Sequence, residues 1–160
     1  MKSAFVFPGQ GSQSLGMLSA AAEAWPMITE TFDEASNVLG YDLWHLCQHG
    51  PAEELNKTMV TQPALLTASV ALWRQWCVSD GPRPDFVAGH SLGEYSALVA
   101  AESLDFIEAV KLVQLRGELL DDRGIGKGGF PDKRRQHDQD GEGHQDEGAD
   151  QDQADGLRRQ

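Results

Sequence analysis

The run Gly89-His90-Ser91-Leu92-Gly93 has the form Gly-x-Ser-x-Gly. Before it stands the short apolar segment Phe86-Val87-Ala88, which reads as a buried strand; after it the pattern from Leu92 to about Ala101 reads as a helix. A serine on so sharp a strand-to-helix turn holds its Oγ exposed, and the chemistry that suits it is nucleophilic attack on an acyl carbon. The flanking glycines leave no side chain to collide with the crossing backbone. The N–H of Leu92 points to where an oxyanion would form, and the helix N-terminus adds partial positive charge there. The same five residues also suit a plain glycine-flanked turn.

A serine nucleophile needs a base. His90 adjoins it, but successive residues at such a turn point in different directions. His45 and His49 lie in another segment, His137 and His144 in a polar tail, and no spacing argues for a triad. His45-Leu46-Cys47-Gln48-His49 contains metal-ligating types without a second ligand cluster, and Leu43, Leu46 and Cys47 make a packing face instead; no metal site is expected. Arg116 is the other candidate. On the helical pattern from Asp105 to about Leu120, the buried stripe is Phe106, Ala109, Val110, Val113, Gly117 and Leu120, and Arg116 falls at its edge. Such an arginine either runs out to water or projects into a cleft, where its guanidinium can grip a carboxylate through two parallel hydrogen bonds.

The elements that position these residues alternate between strand and helix. Ala4-Phe5-Val6-Phe7 reads as a buried strand ending at Pro8-Gly9, followed by a loop over 9–13. Pro26 to Leu39 reads as a helix with Pro26 in its first position, Gly40 just past its end, and Ile28, Phe32, Ala35 and Leu39 on its buried face. Leu43 to Cys47 and Pro51 to Leu55 suit short helical turns. Pro63 to Val78 reads as a long helix burying Leu66, Val70, Trp73 and Cys77. Asp105 with Glu108 forms a capping-box pattern. The alternation predicts an α/β domain with parallel pairing, although two strands are few for a sheet.

Composition breaks near residue 120. The first 120 residues are about half apolar and carry 14 acids and 6 bases. The last 40 carry 11 acids, 7 bases and only five apolar residues, Ile125, Phe130, Ala149, Ala154 and Leu157, too few to offset the entropy of ordering them. The expectation is one folded α/β domain part over 1–120 and a disordered polar tail over 121–160. A net charge of −12 disfavours nucleic acid and anionic membranes. Two cysteines, Cys47 and Cys77, do not make a disulfide framework and read as free thiols in a reducing compartment. No apolar run approaches the length of a membrane span. A cytoplasmic monomer is expected.

Several segments together resemble one family: Phe5-Val6-Phe7-Pro8-Gly9-Gln10-Gly11-Ser12-Gln13, Thr61-Gln62-Pro63-Ala64, Gly89-His90-Ser91-Leu92-Gly93-Glu94-Tyr95-Ser96-Ala97 and Arg116-Gly117. In this order and spacing they are similar to the malonyl-CoA:acyl carrier protein transacylases of bacterial fatty acid synthesis, nearly continuously over residues 1–120. The resemblance implies a partial α/β-hydrolase-like sheet with a nucleophile elbow. It implies that Ser91 takes malonyl from coenzyme A and passes it to a carrier's phosphopantetheine thiol, so that malonyl-CoA and acyl carrier protein are the partners and no cofactor is needed. It further implies an oxyanion hole from the N–H groups of Gln10 and Leu92, a carboxylate grip by Arg116, and His90 flanking the site. The family's catalytic histidine and ferredoxin-like subdomain lie beyond the point where this chain departs. A shifted reading frame would explain that departure: GAT GAC CGC GGT encodes Asp121-Asp122-Arg123-Gly124 and, read one base later, Met-Thr-Ala-Val. A gene with no shifted frame encoding the missing half excludes this. The rival readings are a serine hydrolase on the same turn, an inactive truncated fragment, and an acyltransferase domain of a polyketide synthase.

Overall fold

Two short strands bring the ends of the site together. A computed structural model of the chain describes residues 2–124; the described residues belong to one compact unit, Met1–Gly129, and the second unit, Phe130–Gln160, lies outside them. The expectation of a disordered tail therefore falls almost wholly outside the described residues. Strand β1 (Ala4–Phe7) pairs in parallel with β2 (Phe86–Gly89), with Ala4 opposite Phe86 and Phe7 opposite Gly89. Asp85 fastens the start of the pair: its Oδ2 accepts from the Ser3 N–H at 2.8 Å, and its own N–H donates to the Ser3 carbonyl.

A parallel pair requires a crossover connection. Here it is made by α1 (Ser19–Ala24), α2 (Met27–Leu39), α3 (Leu43–His49), α4 (Ala52–Leu55) and α5 (Thr58–Val78). After β2 come α6 (Leu92–Ala100) and α7 (Phe106–Asp122). The fold is thus α/β with a small parallel sheet and mostly helices, as the alternation predicts.

Helix α5 departs from expectation in two ways. It begins at Thr58, so Pro63 lies inside it. The earlier start is held from another element: the Asp121 carboxylate on α7 accepts from the N–H groups of Thr58 (3.3 Å) and Met59 (2.9 Å). Those are free donors of a first helical turn, satisfied by a residue 62 or more positions away. Second, α5 buries no single stripe. Every residue from Val60 to Ala71 is buried, because α2, α6 and α7 pack around it.

The two strands were expected to be buried, and of their residues only Phe7 is. Val6 is 75% exposed and Phe86 57%. Helices cover only the face carrying Phe5, Phe7 and Val87, which meets Trp73, Ala97 and Ala100; side chains alternate across a strand, so Val6 and Phe86 stand on the other face. Smaller corrections follow local chemistry. Pro26 occupies the cap rather than the first helical position of α2. Asp105 does cap α7, accepting from Ile107 and Glu108 N–H, but the Glu108 carboxylate takes Lys111 Nζ at 2.7 Å instead of closing the box. Helix α1, which has neither a side-chain cap nor a buried residue, is unanticipated.

Candidate functional site

Ser91 sits at the N-cap of α6 with φ 55° and ψ −111°, a conformation that costs a residue with a side chain about 1–3 kcal/mol. The surroundings over-determine it. A Cβ on Gly89 would collide with the backbone of Gly93, and one on Gly93 with the backbone carbonyl of Phe7. β2, the turn and the first turn of α6 are therefore pressed against the end of β1. The loop after β1 lies against the same turn, since the Cβ position of Gly9 is 3.2 Å from the His90 carbonyl oxygen. That loop carries Gln10, whose Nε2 donates to Thr58 Oγ1 at 3.4 Å, and Gln13, whose Nε2 donates to Asn56 Oδ1 at 2.9 Å. The turn tightens through Gly93 N–H to the His90 carbonyl and Glu94 N–H to the Ser91 carbonyl. Leu92 is the first residue of α6, so its N–H has no partner within the helix.

Arg116 reaches this turn from α7. One guanidinium nitrogen, Nη2, donates to Ser91 Oγ at 3.0 Å; the other, Nη1, donates to Gln62 Oε1 at 2.8 Å. The group lies 5.8 Å from the Tyr95 ring centroid. Of the two fates open to an arginine at the edge of a core stripe, the structure shows the inward one. It is half-buried, and no described carboxylate forms a salt bridge with it. What allows the approach is Gly117, whose Cβ would strike Met59 Cα at 2.5 Å. Helix α7 thereby comes close enough to α5 for Arg116 to meet Gln62.

Gln62 belongs to the site although it was not among the candidate site residues. It is fully buried, and while its Oε1 holds Arg116, its Nε2 has no partner among the described residues. A buried amide donor left unpaired is costly. Sequence offers two signals, its place in the segment Thr61-Gln62-Pro63-Ala64 and its polarity beside the apolar residues of α5, but its partner lies 54 positions away.

The histidines are not assembled around Ser91. His90 is exposed and its ring makes no described bond. The rings of His45 and His49 on α3 lie against each other at a tilt, 52° between planes and 4.7 Å between centroids, and neither is bonded to Ser91. His137 and His144 lie outside the described residues. Both cysteines are free; burial pushes the Cys47 thiol up to about 12, which makes it a packing group rather than a nucleophile. Among the described residues no group of three or more His, Cys, Asp or Glu is placed to hold a metal, and no helix is long and apolar enough to cross a membrane.

A groove of about 290 Å³ opens beside Arg116, lined by Leu112, Leu115, Leu119, Leu120 and Arg123. A larger cavity, about 670 Å³, lies between β1 and α5 and is lined by neither Ser91 nor Arg116.

Residues 4–131 match the acyl transferase domain family. The malonyl CoA-acyl carrier protein transacylase of Salmonella typhimurium is 65% identical over 117 residues, covering 73% of this chain and 38% of that protein. The malonyl CoA-acyl carrier protein transacylase of Bacillus subtilis strain 168 is 51% identical over 121 residues, covering 76% and 38%. An acyl carrier protein S-malonyltransferase from Vibrio cholerae superposes with a TM-score of 0.75 at 60% identity, over 76% of this chain and 40% of that one. A chain in the structure of a type II PKS acyl-carrier protein with its malonyl-transacylase gives a TM-score of 0.75 at 61% identity, again over 76% and 40%. The chain thus spans about two fifths of the length of these relatives.

Proposed function

Because the chain belongs to the acyl transferase domain family, we propose that it carries the acyl-accepting part of an S-malonyltransferase, with Ser91 as the nucleophile of a nucleophile elbow. The observation that carries this reading is the Arg116 guanidinium held 3.0 Å from Ser91 Oγ without an acidic partner among the described residues. A cation fixed beside a nucleophile favours an acyl group bearing its own carboxylate, as malonyl does.

The chemistry is an exchange of esters. Ser91 Oγ adds to the thioester carbonyl of malonyl-CoA, and the C–O bond forms. The oxyanion takes hydrogen bonds from the Leu92 and Gln10 N–H groups. The C–S bond then breaks, coenzyme A leaves as the thiol with the proton that Ser91 gave up, and malonyl remains as an ester. A carrier's phosphopantetheine thiol reverses these steps and departs as the malonyl thioester, in ping-pong fashion. Arg116 exchanges its bond to Ser91 for the malonyl carboxylate, while Gln62 keeps its other nitrogen in place. His90 flanks the entrance. No cofactor takes part.

Incubation with malonyl-CoA and acyl carrier protein separates this from the serine-hydrolase reading. Malonyl arriving on the carrier thiol supports transfer; release of free malonate with none on the carrier refutes it. A second reading, a chain that accepts malonyl but passes it on slowly, is favoured by one observation: no described histidine is bonded to Ser91 to take its proton.

A further inference from the structure

His45 and His49 have no role in the chemistry above. They stand four residues apart on α3, so both rings lie on one face of the helix. That face is the outer one: both histidines are exposed, while Leu43 and Cys47 are buried on the opposite side. The packing face read from the sequence thus accounts for one side of α3 and leaves the other to the imidazoles. The helix beneath them is held at both ends. Asp42 Oδ1 accepts from the His45 N–H at 2.7 Å, and Gln48 Nε2 donates to the Met17 carbonyl at 2.9 Å. Neither imidazole forms a hydrogen bond or an ion pair with a described residue.

The ring spacing matches what chelation requires. A metal ion about 2.0–2.1 Å from one nitrogen of each ring lies about 3.2 Å from each ring centre, which puts the centres about 4.5 Å apart for a right-angled pair of bonds and about 5.2 Å apart for a tetrahedral pair. The centroids of His45 and His49 are 4.7 Å apart. We propose that the two histidines form a surface site for one divalent transition-metal ion of the copper, nickel and zinc group. Neutral imidazole suits these ions, whereas magnesium and calcium take oxygen ligands. Among the described residues no group of three or more ligating side chains assembles, so those residues supply two imidazoles and water completes the coordination. The net charge of −12 draws cations towards the chain. The ion ties one turn of α3 to the next and binds where folding has already paired the rings. The inference rests on α3 alone and stands whether or not Ser91 accepts malonyl.

The test is isothermal titration of the full 160-residue chain with Ni2+, at about pH 8, where an ordinary imidazole is neutral. The expected result is one equivalent bound, with His45→Ala and His49→Ala each weakening it at least about tenfold, as loss of one arm of a chelate does. Both positions are exposed, so the far-ultraviolet circular dichroism of these variants matches that of the parent. The paired substitution of His137→Ala with His144→Ala leaves the binding in place. No saturable binding, binding indifferent to either substitution on α3, or binding that disappears with His137 and His144 would overturn the proposal.

Discussion

At Ser91 a strained backbone presents the hydroxyl to the guanidinium of Arg116, beside the N–H of Leu92 that opens α6. The strand, turn and helix around the serine were legible because their signals are local: two glycines at fixed offsets, an apolar segment before and a helical pattern after. Arg116 was half legible, since the helical wheel put it at the edge of a core stripe without deciding its direction. Gln62 was not, because its meaning depends on a partner on another helix. The account predicts that Arg116→Ala lowers the rate of Ser91 acylation by malonyl-CoA about 10- to 150-fold, the range of one hydrogen bond to a charged group. Acylation by acetyl-CoA, which has no carboxylate to grip, should change little. Equal losses with both donors would show that Arg116 supports the fold rather than the substrate. Gln62→Leu should lower malonyl acylation too, by freeing the guanidinium, with Arg116 still present.

Among the elements, the helices were placed from sequence to within a few residues where caps were local. Gly40 ends α2 with φ 78°, and Asp105 starts α7. The start of α5 was misplaced because its cap, Asp121, comes from the far end of α7. The burial of the strands was misjudged because apolar composition says nothing of how many neighbours a sheet has. Close approach of elements is the fold's main demand around the site. Gly117→Ala should therefore separate α7 from α5, costing about 1–3 kcal/mol as an overpacked contact does, and should weaken the Arg116 to Gln62 link at the same time. Urea denaturation gives the first and malonyl acylation the second; a fully stable, fully active variant would contradict the packing described. Asp105→Ala should cost about 1 kcal/mol through the lost cap, with no effect on malonyl selectivity.

For the molecule as a whole, stability should decline in alkali. Burial raises the Cys47 thiol from 9.0 to about 12, and burial together with the nearby Cys47, Glu54 and Glu118 raises the Tyr41 hydroxyl from 10.0 to about 12. Each group is neutral when protonated, and the folded state holds its proton more tightly. Below pH 9.0 both states are protonated and nothing is lost; above it the unfolded chain ionises first and is favoured. Unfolding free energy should fall from about pH 9 towards 12, and Cys47→Ala should flatten the early part of that fall. A stability constant across this range would show the two groups to be solvated.

The central claim is that Ser91 takes a malonyl group, and the most direct measurement is mass spectrometry of the chain after incubation with labelled malonyl-CoA. The account predicts one label per chain, recovered on the peptide containing Ser91, stable to denaturation and absent from Ser91→Ala. Label that persists in Ser91→Ala, or no label under conditions where the full-length Salmonella typhimurium relative is labelled, would contradict it.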